Sequence, residues 1–294
     1  MILLQINQTD YLTPIKDIPY YTDFISKYCH ITISCNVSQG ILIPLRGNEN
    51  DELDEDVTEF INTMPEDSRK RREFYRKFAK GSHIDVGDVI QENEKRTFAS
   101  DYFIGEANKN NIPPRELVLR TLNCNVFLQY YFLLEETLKN LLLESNKSYD
   151  PKKITGSQAI TLCLNKRLNK FKNKDKFIRL ISERSKFFKT WKTLSLSWDL
   201  LTLIRNRCVH YNNKYDTISV AKLNDSIDLI LNELSKSEGN EMTSLFFMES
   251  MEKIVDQIEV NGYILFNFTL ENMIRNTSIF VIESLYLCEI ELVA

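Results

Sequence analysis

Glycine and proline are scarce, 8 and 7 in 294 residues, which excludes collagen-like and low-complexity architectures. Histidine is scarcer still. Any imidazole chemistry is confined to His30, His83 and His210. The six cysteines form no C-x2-C pair and have no histidine at zinc-ligand spacing, so they read as reduced, buried thiols rather than as a metal site or a disulfide framework. No apolar run approaches the roughly 20 residues that span a bilayer. The first residues, Met1 to Gln5, lack the basic region that opens a signal peptide, and the expected location is the cytoplasm. Phosphate-binding G-x-x-x-x-G-K-[ST], dinucleotide-binding G-x-G-x-x-G, hydrolase G-x-S-x-G and zincin H-E-x-x-H motifs are all missing. Neither a metal nor a cofactor is expected.

What is present is an ordinary globular composition, 43% hydrophobic and 11% aromatic, with enough length for one large core or two modest ones. The net charge of -4 carries no global nucleic-acid signature, so local charge must be examined. Three regions differ in texture. Residues 1–110 read as mixed: residues 31–37 alternate apolar and polar, Ser38-Gln39-Gly40 interrupts, and residues 41–45 resume, the pattern of a β-hairpin with Pro44 at an edge. Between Glu49 and Glu59 the chain is acidic and from Ser68 to Phe78 it is basic, a helix with opposed charge at its ends or a solvated surface segment. Residues 111–236 read as a helical bundle. Pro113-Pro114 opens a helix whose apolar residues recur at three and four places to about Glu144, and further helices are expected over 156–171, 174–189, 194–210 and 216–236. Residues 237–294 are expected to hold one helix, 242–258, and then strands over 263–270 and 278–292. The fold class that results is mainly α, α+β overall, a helical bundle core with β-rich flanks at both ends.

Two features of the bundle point to chemistry. From Lys152 to Lys192 thirteen Lys or Arg stand against Asp175 and Glu183 alone, a local +11 in a net acidic chain; Lys166, Lys170 and Lys174 on this span are candidates to hold phosphate. Leu194, Trp198, Leu201, Ile204 and Cys208 then repeat at three and four places and deliver Arg205, Asn206, Arg207 and His210 to the end of one amphipathic helix. Cleavage of an RNA phosphodiester needs those parts. A base of near-neutral pKa takes the proton of the 2′-OH, and fixed positive charge stabilises the phosphorane oxygens. At 100° per residue Asn206 and Arg207 share the face of His210, whereas Arg205 and His210 diverge by about 140°, so one regular helix does not aim both at one phosphate.

Arg205-Asn206 followed by His210 resembles the Arg-Asn-x-x-x-His signature of the HEPN superfamily, and residues 128–139, an apolar stretch with Glu135 and then Leu138-Lys139, are similar to an earlier helix of that family. The resemblance covers about 111–236. It implies a HEPN-type helical bundle and a metal-independent endoribonuclease acting in a toxin or antiviral defence system. Arg205 and His210 would be its catalytic pair, Asn206 the orienting group, Glu135 the supporting acid, and Arg207 an auxiliary cation. It further implies RNA as the partner, a homodimer with the site shared across it, and an antitoxin or regulatory partner. In the toxin branch controlled by tyrosine modification a Tyr stands two places after the His; here Asn212 does, and that control is not expected. The alternative reading is a noncatalytic HEPN-like module that binds a nucleotide or a partner through the same cluster.

Overall fold

The computed structural model describes residues 11–42, 49–81, 99–145, 150, 154, 156–171, 174–185, 187–236, 241–266 and 268–290. The described residues form α1 (Pro19–Leu42), α2 (Glu49–Gly81), α3 (Ala99–Lys109), α4 (Pro114–Ser145), α5 (Gly156–Phe171), α6 (Lys174–Arg184), α7 (Trp191–His210), α8 (Thr217–Leu234), α9 (Glu241–Asn261) and α10 (Phe268–Ile290). Among them there is no strand, only an isolated antiparallel bridge between Lys214 and Tyr263. The protein is mainly α. None of the described helices is long and apolar enough to cross a membrane.

Residues 1–37 and 121–294 form one compact unit, and residues 38–120 a second. In the second, α2 packs on α3, and Asp54 of α2 is ion-paired with Arg115. In the first, α7 packs on α5 and α8, α8 on α9, and α6 on α10. Its core is continuous and rich in aromatics: Tyr131 of α4 stacks on Trp198 of α7 with centroids 4.5 Å apart, and Tyr21 of α1 stacks on Tyr286 of α10 at 4.0 Å.

Neither expected β-rich flank holds a strand among the described residues, and most of both is helical. The alternation over 31–37 lies inside α1, where Tyr21, Phe24, Ile25, Tyr28, Thr32 and Cys35 form a buried stripe at helical spacing while Ile33 and Val37 face solvent. A long aromatic stripe buried every three to four residues outweighs a short alternation. The second half of that expected hairpin, residues 43–45, lies outside the described residues. At the other end, Ile264 to Phe266 are buried but irregular, and residues 278–290 of the expected strand over 278–292 lie in α10, the last two falling outside the described residues. This helix is buried on nearly every side, so it has no polar face and its text reads like a central strand.

Burying α10 all round also buries charge, which must be paired. Glu283 accepts hydrogen bonds from Arg184 and from the Leu12 N–H; Glu289 accepts two from Arg167; Glu271 is ion-paired with Arg275 at 3.5 Å. Desolvation raises the pKa of Glu271. The Tyr286 hydroxyl takes the N–H groups of Ile15 and Lys16, which straps residues 12–16 to this central helix.

Candidate functional site

Helix α7 begins at a good cap. Thr190 is extended, and its side chain accepts the Thr193 N–H at 3.0 Å. Leu194, Trp198, Leu201 and Ile204 are buried along one side, so the helix is held through most of its length and Arg205 to His210 emerge at its far end. That end is closed by backbone geometry. Asn212 and Asn213 take left-handed φ values of 50° and 58°, conformations that asparagine tolerates better than most residues. The Asn213 N–H returns to the Arg207 carbonyl at 2.9 Å, and its side-chain amide donates to the Ile264 carbonyl at 2.7 Å. The Tyr215 N–H donates to the Gly262 carbonyl at 2.9 Å. Residues 262–264 therefore clamp the turn between α7 and α8, which starts at Asp216 with a reciprocal cap to Ser219. Those hydrogen bonds from Ser219 hold the Asp216 carboxyl below the usual carboxylate range.

Arg205 does not point into solvent. Its Nη2 donates to Glu135 Oε2 of α4 at 3.0 Å, its Nη1 to Asn206 Oδ1 at 2.7 Å, and its Cζ lies 5.1 Å from the ring centroids of both Tyr131 and Phe132. Glu135 is 4% exposed and takes a second cation, Lys139 Nζ, at 2.6 Å. One buried carboxylate thus sits between an Arg and a Lys. The Tyr131 hydroxyl is bonded to Thr202 at 2.8 Å, and burial pushes its pKa up, so it stays neutral beneath the guanidinium. Two of the five guanidinium N–H groups are occupied, and the buried Nε meets no acceptor among the described residues.

No protein-family model, curated protein or solved structure matches the chain.

The structure brings together Arg205, Asn206 and Glu135, with Arg205 and Glu135 70 residues apart in sequence. It does not bring His210 to them within one chain. His210 is the last residue of α7, exposed, with no hydrogen bond, ion pair or ring contact among the described residues. Arg207 turns the other way, with Nη1 3.6 Å from Asp216 Oδ2 and Cζ 4.5 Å from the Tyr211 ring centroid. The Cys208 thiol donates to Asn213 Oδ1 at 3.9 Å, and the neighbouring Cys124 of α4 together with burial pushes it up. All six cysteines are free. Lys139, Tyr131 and Phe132 lie in the stretch that carries the family resemblance, which includes the Leu138-Lys139 pair, but only Glu135 was given a role there. The Glu135–Lys139 spacing of four places the lysine on the carboxylate's side of α4; the rings were legible only as core.

The basic span divides in two. Arg167 and Arg184 turn inward to Glu289 and Glu283, and Lys174 lies 4.5 Å over the Trp191 ring with a hydrogen bond to Asn165 at 3.2 Å. Lys166 is exposed. The side chain of Lys170 lies outside the described residues.

Proposed function

We propose that the chain is a metal-independent endoribonuclease of HEPN type in a toxin or antiviral defence system. The observation that carries the reading is the end of α7: a guanidinium fixed by Glu135 and Asn206, and an open imidazole five residues on. His210 takes the proton of the ribose 2′-OH. The 2′-oxygen then bonds to phosphorus, the bond to the 5′-oxygen breaks, and that oxygen takes the proton back from the imidazolium and leaves as the hydroxyl, giving a 2′,3′-cyclic phosphate. Arg205 stabilises the charge that develops on the phosphorane oxygens, and Glu135 acts through it as a positioning residue. Two-fold pairing of α7 helices would set His210 of one chain beside Arg205 of the other, which reconciles their divergence on one helix with a single site. The protein in this reading is a cytoplasmic homodimer, held inactive by an antitoxin or regulatory partner.

The deciding experiment is incubation of the purified chain with RNA in EDTA. Cleavage with 2′,3′-cyclic phosphate ends is expected; intact RNA at high enzyme concentration would reject the reading. The basic residues of the 152–192 span bear on affinity rather than chemistry. Reversing Lys166, Lys170 and Lys174 to Glu is expected to weaken RNA binding and to flatten the slope of log K against log salt by about 0.7 for each phosphate no longer neutralised. An unchanged slope would assign that face to solvent.

The second reading, a noncatalytic module that binds a nucleotide or a partner, is favoured by the same Arg205 contacts. A guanidinium committed to Glu135 and Asn206 is well placed to hold α4 against α7 without acting on a substrate.

A further inference from the structure

Cys35, Cys163 and Cys288 are buried, whereas Cys124 of α4 and Cys208 of α7 are half-buried and are neighbours in space. Cys29 of α1 is half-buried too, but burial alone shifts its thiol. What holds the pair together is the segment 264–266. The Asn213 side chain accepts from the Cys208 thiol at 3.9 Å and donates to the Ile264 carbonyl at 2.7 Å. Two residues on, the Phe266 carbonyl accepts at 3.4 Å from the side chain of Asn123, which immediately precedes Cys124, and the Phe266 ring packs on Phe127 with centroids 5.3 Å apart. This part of α4 and the end of α7 are therefore fastened to one short stretch of backbone. The buried Tyr215 hydroxyl, which makes no hydrogen bond among the described residues, feels both sulfurs.

We propose that Cys124 and Cys208 are a redox-active pair that a hydroperoxide closes into a reversible disulfide, bonding α4 to the end of α7. The environment distinguishes the attacking sulfur. Burial pushes the thiols of Cys35 and Cys163 up to about 12, which keeps them protonated at neutral pH, whereas the neighbouring Cys208 holds the Cys124 thiol below its ordinary value. The Cys124 thiolate bonds to one peroxide oxygen as the O–O bond breaks. The other oxygen leaves as hydroxide and takes a proton from solvent, and Cys124 is left as the sulfenic acid. Cys208 is pushed up chiefly by Cys124 beside it, and a neutral sulfenic acid relieves that effect. The Cys208 sulfur then bonds to the Cys124 sulfur, the S–O bond breaks, and the hydroxyl leaves as water with the Cys208 proton. Two thiols have lost two electrons and two protons, and one hydrogen peroxide has become two waters. A small thiol reopens the bridge by exchange. Cys208 stands between Arg205 and His210 in the sequence, so the bridge restrains the stretch of α7 that carries both. Its formation is independent of the ribonuclease reading.

The test uses the wild-type chain, reduced, treated with hydrogen peroxide, then denatured and alkylated. The six free thiols are expected to fall by two. Trypsin cuts after Arg120, Lys139, Arg207 and Lys214 and so places Cys124 and Cys208 in separate peptides, 121–139 and 208–214. Mass spectrometry is expected to find these two joined, and dithiothreitol to part them, while the oxidised chain keeps its monomer mass on a non-reducing gel. Cys208→Ser is expected to stop at the sulfenic acid of Cys124, which dimedone traps. Six thiols surviving a large excess of peroxide would overturn the proposal, as would a disulfide joining other cysteines instead, or a 124–208 link found only between chains. Should Cys208→Ser fail to fold, the peptide map of the wild-type chain decides by itself.

Discussion

His210→Ala is expected to reduce RNA cleavage by about 100-fold to 10,000-fold, the range that a positioned general base contributes, while the melting temperature stays at the wild-type value. The second half of this expectation follows from position. His210 is exposed at the end of α7 and makes no hydrogen bond, ion pair or ring contact among the described residues, and substitutions at such sites change stability by no more than about 0.5 kcal/mol. Full activity in the variant would exclude His210 as the base. The shared site has its own signature. Arg205→Ala and His210→Ala proteins, each inactive, are expected to regain activity after subunit exchange, because one of the two clefts in a mixed dimer is then intact. A mixture that contains heterodimers and remains inactive would mean that each chain builds its site alone.

Glu135→Ala is expected to have the opposite profile, a large loss of stability. The carboxylate is buried between Arg205 and Lys139, and its removal leaves two cations facing one another in the space it occupied. Breaking a buried pair from one side costs about 3–5 kcal/mol. In a chain of this size that corresponds to a fall in melting temperature of roughly 6–20 °C. Thermal unfolding followed by circular dichroism measures it. A shift below about 2 °C, less than 1 kcal/mol produces in a large domain, would show that the three groups are screened by solvent and that Glu135 does not fix the guanidinium. The comparison with His210→Ala separates the two readings of α7. A catalytic site loses rate at His210 with no loss of fold, whereas a purely structural or partner-binding cluster is sensitive at Glu135 and indifferent at His210.

How much of this was legible follows from where each side chain is buried. Helices α4, α5, α7, α8 and α9 lie close to their expected positions because each presents a buried side and a solvent side, and a 3.6-residue period survives in the text. Helix α6 stops at Arg184, short of the expected 189, and Phe187 and Phe188 are buried beyond its end. Helix α3 has a short, weak pattern and went unread. The basic run over 152–192 was legible as charge, but its direction was not: Arg167 and Arg184 serve the carboxylates of α10, and those carboxylates lie in text that reads as strand.

The amino-acid order alone determined a mainly helical chain, the amphipathic helix ending in Arg205 to His210, and the opposed charges of α2. All three depend on neighbours within a few turns, whose geometry a regular helix dictates. Tertiary structure decided the rest. It made α1 and α10 helical where local alternation suggested strands, because long stripes buried on several sides outweigh short-range preference. It also set Glu135 against Arg205, a contact across 70 residues. A pairing at that separation is a property of how α4 packs on α7, and no local pattern encodes it.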